Sequence, residues 1–192
     1  MAMLILGLAI FLGAHSLRMY AEGWRTRMLA RLGARGWKAL YSVVSIVGFV
    51  LIVWGFGEAR QQPVPLYAPP AWARHVNALF TLAALVLFFA ARGPANHFRA
   101  KLGHPMLAGT ALWALGHLLT NGSLHDVLLF GAFLLWAAGD YAMWRRRDRI
   151  AGTTYPAGTL AGDLGALVIG AAAWAAFAFW LHARWIGVSP FG

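Results

Sequence analysis

Residues 39–57 read ALYSVVSIVGFVLIVWGFG, and the nineteen positions between Lys38 and Glu58 carry no charge. As a helix at 1.5 Å per residue they cover about 28 Å, close to the ~30 Å hydrocarbon thickness of a bilayer. A run of this length in a chain that is 60% hydrophobic and 11% charged predicts a membrane span, because so little polar surface cannot clothe a soluble globule. Working outward, comparable Leu-, Ala-, Val-, Phe- and Trp-rich segments cover 2–17, 76–91, 105–120, 124–144 and 164–183. The expected fold is all-α: a polytopic membrane helical bundle of about six transmembrane helices, one domain over residues 1–192. Residues 1–17 are uncharged and Arg18 follows them, the reverse of a cleaved signal peptide, so a retained first helix is expected.

The net charge is +10, yet the basic residues sit between apolar runs, where they act as topology signals and contacts to anionic lipid. Nucleic acid is not an expected partner. The loop 17–38 holds Arg18, Arg25, Arg27, Arg31, Arg35 and Lys38; 92–103 holds Arg92, Arg99 and Lys101; 145–163 holds Arg145, Arg146, Arg147 and Arg149. Against these thirteen stand Arg60, Arg74 and Arg184, which places both termini on the non-cytoplasmic side by the positive-inside rule. The first basic loop has room for an interfacial helix, and the stretch 62–70, with Pro63, Pro65, Pro69 and Pro70, cannot be regular helix. Trp54, Trp72, Trp144 and Trp185 fall near span ends, as interfacial anchors do. With no cysteine, disulfides, thiolate metal sites and cysteine nucleophiles are excluded, and any metal must use histidine or oxygen.

Of seven histidines, the three that matter are His15, His104 and His117, placed at or inside spans, where polar side chains are costly and mark functional sites. His104 precedes Pro105 at a helix start, and His117 lies thirteen residues on, ~20 Å along the axis and about 220° around it, so these two cannot share one metal. Each can pair with His15. From the outer face the depths are ~21 Å for His15, ~12 Å for His117 and ~30 Å for His104, which favours neither partner. Two histidines from different helices, among large aromatic residues, form the arrangement of a six-coordinate haem. Trp113 is one turn from His117, and Trp136 and Trp174 lie mid-helix. Gly109 and Gly116 share a helix face smooth enough for a porphyrin plane or a close helix contact. Zinc fits less well, since two histidines fall short of three or four ligands. Asp140, about one turn before the Arg145 to Arg147 cluster and with Arg18 at the same inner face, reads as half of a structural ion pair with a proton-handling role behind it. His125 and Asp126 read as polar loop residues after the turn at Asn121 and Gly122.

The string GHPMLAGTALWALGHLLTNG over residues 103–122 resembles the signature of the NnrU family of bacterial membrane proteins, and LGLAIFLGAHSLR over 6–18 resembles that family's first helix. The likeness continues through VWGFGEAR at 53–60 and Pro70 to Arg74, and covers most of residues 1–150. The family is similar to the plant and cyanobacterial 15-cis-zeta-carotene isomerase, a haem b membrane enzyme. In that enzyme the histidine of a first-helix His-Ser pair, and the histidine thirteen residues after a His-Pro pair, are the implicated haem ligands. The resemblance therefore implies haem b held by His15 and His117, with Trp113, Gly109 and Gly116 around it and His104 as the alternative second ligand. The isomerase carries a cysteine three residues before its second histidine, where this chain has Ala114, which supplies no exchangeable sulfur ligand. The family name refers to nitrite and nitric oxide respiration, so the function expected is haem-based redox chemistry or nitric oxide handling in the bacterial inner membrane. The alternatives are a haem-dependent cis–trans isomerase of a carotenoid-like polyene, and a proton-coupled transporter or assembly factor using His15, His104, His117 and Asp140. Lipid, haem and either a small diatomic or a lipophilic polyene are the partners implied.

Overall fold

In the computed structural model, which describes residues 1–191, the chain is helical almost throughout. The elements are α1 (Ala2–Tyr20), α2 (Glu22–Ala59), α3 (Ala73–Arg92), α4 (His97–Leu102), α5 (Pro105–Thr120), α6 (Leu124–Ala151), α7 (Leu160–Ala176) and α8 (His182–Ile186). A π-helical turn over Phe177–Leu181 joins the last two. Five helical stretches are long and apolar enough to cross a membrane: α1, α2, α3, α6 and the run Leu160–Ile186. α5 is apolar too, and its 16 residues extend ~24 Å. About six membrane helices is thus the architecture.

The helices pack in the order α2, α1, α6, α5, α3, α7, each chiefly against its neighbours in that row. Close packing in the first pair depends on small residues, since helices in lipid associate through van der Waals contact. A Cβ on Gly7 would stand 2.6 Å from the Ile52 backbone nitrogen, and one on Gly48 would stand 2.8 Å from that of Phe11. Leu4, Leu8, Ile52, Ala114, Leu129 and Phe130 form the main buried cluster across α1, α2, α5 and α6.

The basic segment expected as a loop with an interfacial helix is helical from Glu22 and runs into the second span, broken only at Gly33, whose φ of 68° is the left-handed conformation glycine tolerates. Its start is held by Glu22, which accepts two hydrogen bonds from the Arg25 guanidinium, at 2.7 and 3.1 Å. The proline-rich stretch is irregular, as expected, and straps the turn between α5 and α6. Leu66 and Tyr67 donate backbone N–H bonds to Gly122, and Leu124 donates to Val64. α6 continues past Trp144 to Ala151, two turns beyond the expected span. There Arg147 donates to the Arg18 carbonyl at 2.7 Å, and the ends of α1 and α6 meet on the face that gathers the three arginine-rich segments.

Candidate functional site

α1 and α5 each pack on α6, and among the described residues their Cα atoms do not come within 8 Å of one another. His15 and His117 therefore stand on the two helices that flank α6. Each imidazole is fixed by the same local device. His15 Nδ1 lies 2.7 Å from the Phe11 carbonyl, and His117 Nδ1 lies 2.8 Å from the Trp113 carbonyl. A carbonyl only accepts, so Nδ1 carries the proton in both rings, and in the neutral tautomer Nε2 keeps its lone pair. Neither Nε2 has a hydrogen-bond partner among the described residues. This is the state a histidine must be in to ligate a metal, with the other nitrogen tied to a backbone oxygen.

Aromatic rings on α6 connect the two. His117 stacks on Phe130 at 4.6 Å, and His15 meets the edge of Trp136 at 6.0 Å. Between them Phe133 touches Phe11 at 5.9 Å and Trp113 at 5.6 Å. Six residues of α6 separate the two levels, an offset of ~9 Å. Tyr41 of α2 closes the far side of His15, with ring centroids 5.4 Å apart. Trp136, like Ser45, Asn77 and His125, has a buried polar atom lacking a partner: its indole N–H has no acceptor among the described residues, a deficit that water, an ion or a bound group can make good. An open groove of about 560 Å³ runs along the other side of Trp136 between α1 and α6, lined by apolar residues such as Leu8, Leu12, Ala132 and Leu135.

The other candidates fall elsewhere. Gly109 and Gly116 face α3: a Cβ on Gly109 would lie 2.9 Å from the Ala84 carbonyl and 3.0 Å from the Phe88 ring, and one on Gly116 would meet Asn77 and Phe80. Of the two uses open to that face, helix contact is the one observed. Trp113 belongs to the aromatic cluster, whereas Trp174 lies on α7 and donates to Thr81 on α3 at 3.1 Å. His104 sits at the basic face, its Nε2 2.9 Å from Asp148 Oδ2, while the Tyr155 hydroxyl donates to the same oxygen at 2.7 Å. The Tyr155 bond, with those from His104 and the nearby Arg145 charge, holds the Asp148 carboxyl below its ordinary range; burial and the Asp148 bond push the Tyr155 phenol up to about 12.

Two readings of polar residues are corrected. Asp140 is buried, at 8% exposure, but forms no ion pair or hydrogen bond among the described residues. The arginines expected to pair with it are engaged: Arg18 and Arg147 lie over the Trp144 ring at 4.4 and 5.4 Å, and Arg147 also binds the Arg18 carbonyl. His125 and Asp126 are not loop residues; they open α6 and are buried, with the Asp126 carboxylate accepting from the Ser123 N–H at 3.2 Å. Phe11, Tyr41, Phe130 and Phe133 had no signal distinguishing them from other apolar span residues, although Phe11 is one turn from His15. No group of three or more His, Cys, Asp or Glu residues that could hold a metal ion occurs among the described residues, so any metal at His15 and His117 must bring further ligands of its own.

A family model described as NnrU protein matches residues 3–190 of the chain. No curated protein and no solved structure matches it.

Proposed function

The chain belongs to the NnrU family, and on that premise we propose that it binds haem b through His15 and His117 and serves nitrite and nitric oxide respiration by electron or nitric oxide handling at that haem. The observation that carries this reading is the matched pair of imidazoles, each with Nδ1 committed to the carbonyl four residues back and Nε2 free. A macrocycle supplies four nitrogen ligands itself, so two protein nitrogens complete the iron where they would leave zinc short. When bound, haem supplies a one-electron couple and, if an axial position opens, a site for a diatomic.

The protein's own part is positional. His15 of α1 and His117 of α5 would hold the group from the two helices that flank α6. Phe11, Phe130, Phe133 and Trp113 pack around the two imidazoles and would keep water from a group held there. The Trp136 N–H, buried without an acceptor beside His15, would be free to donate to such a group. One observation favours a second reading, haem-dependent isomerisation of a lipophilic polyene: the apolar groove between α1 and α6 opens to lipid and shares Trp136 with the His15 environment.

Purified protein is expected to show a Soret band and, on reduction, sharp α and β bands. His15→Ala and His117→Ala should each abolish the low-spin spectrum, and the double variant should be colourless. Nitric oxide should shift the spectrum if an axial ligand leaves. Conversion of a cis-carotene by the reduced protein would favour the second reading. Pigment unchanged in the double variant overturns both.

A further inference from the structure

At the basic face, where α3 ends and α5 begins, Arg92, Arg99, His104, Pro105, Met106 and Leu107 wall a pocket of about 260 Å³. Both arginine side chains are exposed, and neither guanidinium has an acidic partner among the described residues. The cause is a shortage of acids. Asp148 is shared by His104, Tyr155 and Arg145, and Asp163 accepts two bonds from His97, both at 2.7 Å. Glu22 serves Arg25 and Arg18. Two uncompensated cations on one small concave wall leave a local positive potential that an anion entering the pocket would neutralise.

We propose that this pocket binds a phosphate group. A carboxylate offers two coplanar oxygens, whereas phosphate offers oxygens in a tetrahedron and so accepts from two guanidinium forks approaching from different helices at once. The start of α5 adds to this, because His104 provides no side-chain cap and the first-turn amides of Met106 and Leu107 have no intrahelical acceptor. The two arginines and the cavity carry the assignment; the amides only refine it. The same chemistry arises from an anionic phospholipid headgroup at the membrane surface or from phosphate in the aqueous phase.

The test uses the full chain in nanodiscs of phosphatidylcholine containing a minor fraction of phosphatidylglycerol, followed by native mass spectrometry. Arg92→Gln/Arg99→Gln is compared with Arg146→Gln/Arg149→Gln, which removes equal charge from exposed positions on α6 outside the pocket. Wild type and the α6 variant should carry one retained phosphatidylglycerol, enriched about tenfold over its share of the bilayer, a difference equivalent to ~1.4 kcal/mol; the pocket variant should lose the enrichment. In a second arm, inorganic phosphate is added to delipidated protein at constant ionic strength, and the melting temperature of wild type but not of the pocket variant should rise. Lipid enrichment without a phosphate response assigns the source to the headgroup; a phosphate response without lipid enrichment assigns it to the aqueous ion. Absence of both in wild type, or equal loss in the two variants, overturns the proposal, and the wild-type arms decide even if the pocket variant does not fold.

Discussion

Gly109→Ala asks whether the glycine face of α5 serves helix packing or a cofactor. The added methyl would sit 2.9 Å from the Ala84 carbonyl oxygen and 3.0 and 3.1 Å from two carbons of the Phe88 ring, distances at which backbone must shift. Overpacking of this kind costs about 1–3 kcal/mol. Replacing a helical glycine by alanine also gains up to ~1 kcal/mol in propensity, so the substitution has to be read against a control with the same gain. Gly131 of α6 provides it, since a Cβ there meets nothing within 4 Å. The difference between the variants isolates the packing cost and corresponds to roughly 2–12 °C in melting temperature for a chain of this size. Thermal melts in detergent, followed by circular dichroism with pigment per protein recorded alongside, should show Gly109→Ala melting lower than Gly131→Ala with equal pigment. Equal melts with pigment lost only from Gly109→Ala would refute the packing argument and return that face to the cofactor.

Two further outcomes follow from the polar contacts. Trp174→Phe removes the indole donor to Thr81 and should destabilise the α3–α7 contact by about 0.5–1.5 kcal/mol, measured by the same melts, while leaving any pigment unchanged; pigment loss would mean that α7 reaches the proposed haem site. The docking of the segment after Gly152 should depend on acid. The Asp148 carboxyl is held below its ordinary range by Tyr155 and His104, so its contribution is complete above about pH 4, the usual carboxylate value, and is lost as pH falls through the lowered value in the folded protein. Hydrogen-exchange protection over residues 152–159, taken relative to the unstructured rate at each pH, should fall across that window, and Tyr155→Phe should move the fall to higher pH. Protection independent of pH would show that Asp148 does not hold the segment.

The membrane class and the α5 span were readable in the sequence because hydropathy and an opening proline report directly on them; the expected 105–120 coincides with Pro105–Thr120. What hydropathy cannot convey is which apolar helix touches which, since every lipid-facing and every helix-facing side chain in a span reads alike. The row order that places α6 between α1 and α5 is therefore invisible in the sequence, and with it the roles of Phe130 and Phe133. The surroundings of Asp140 are hidden for a related reason. Sequence places Arg18 and Arg147 at its end of the bundle, but the rings and carbonyls that occupy those guanidiniums are tertiary neighbours. The tautomer device at His15 and His117 uses the carbonyl four positions back in the same helix, which a span offers. It also needs a side-chain rotamer that the helix does not impose: the His182 Nδ1 lies 2.6 Å from the Val188 carbonyl instead.

α6 explains why histidines scattered from position 15 to 125 belong to one arrangement. Asp126, Phe130, Phe133, Ala137, Asp140, Trp144 and Asp148 recur at spacings of three and four and so share one face. Asp126, Phe130, Ala137, Asp140 and Asp148 on it are all buried; three of the five are carboxylates, which in a membrane bundle face the interior rather than lipid. Read along this face, His125 lies at Asp126, His117 at Phe130, His15 beside Trp136 and His104 at Trp144 and Asp148. Their separations are thus set by the rise of one helix. The weak point of such a scaffold is His117, within a turn of the end of α5, where helices fray. The proline-rich strap meets that weakness: the Tyr67 hydroxyl bonds the Leu118 and Asn121 carbonyls, and the Tyr67 backbone N–H binds Gly122. It holds the last turn of α5 against the first of α6, and so fixes the depth of His117 relative to Phe130, on which any shared ligand with His15 depends.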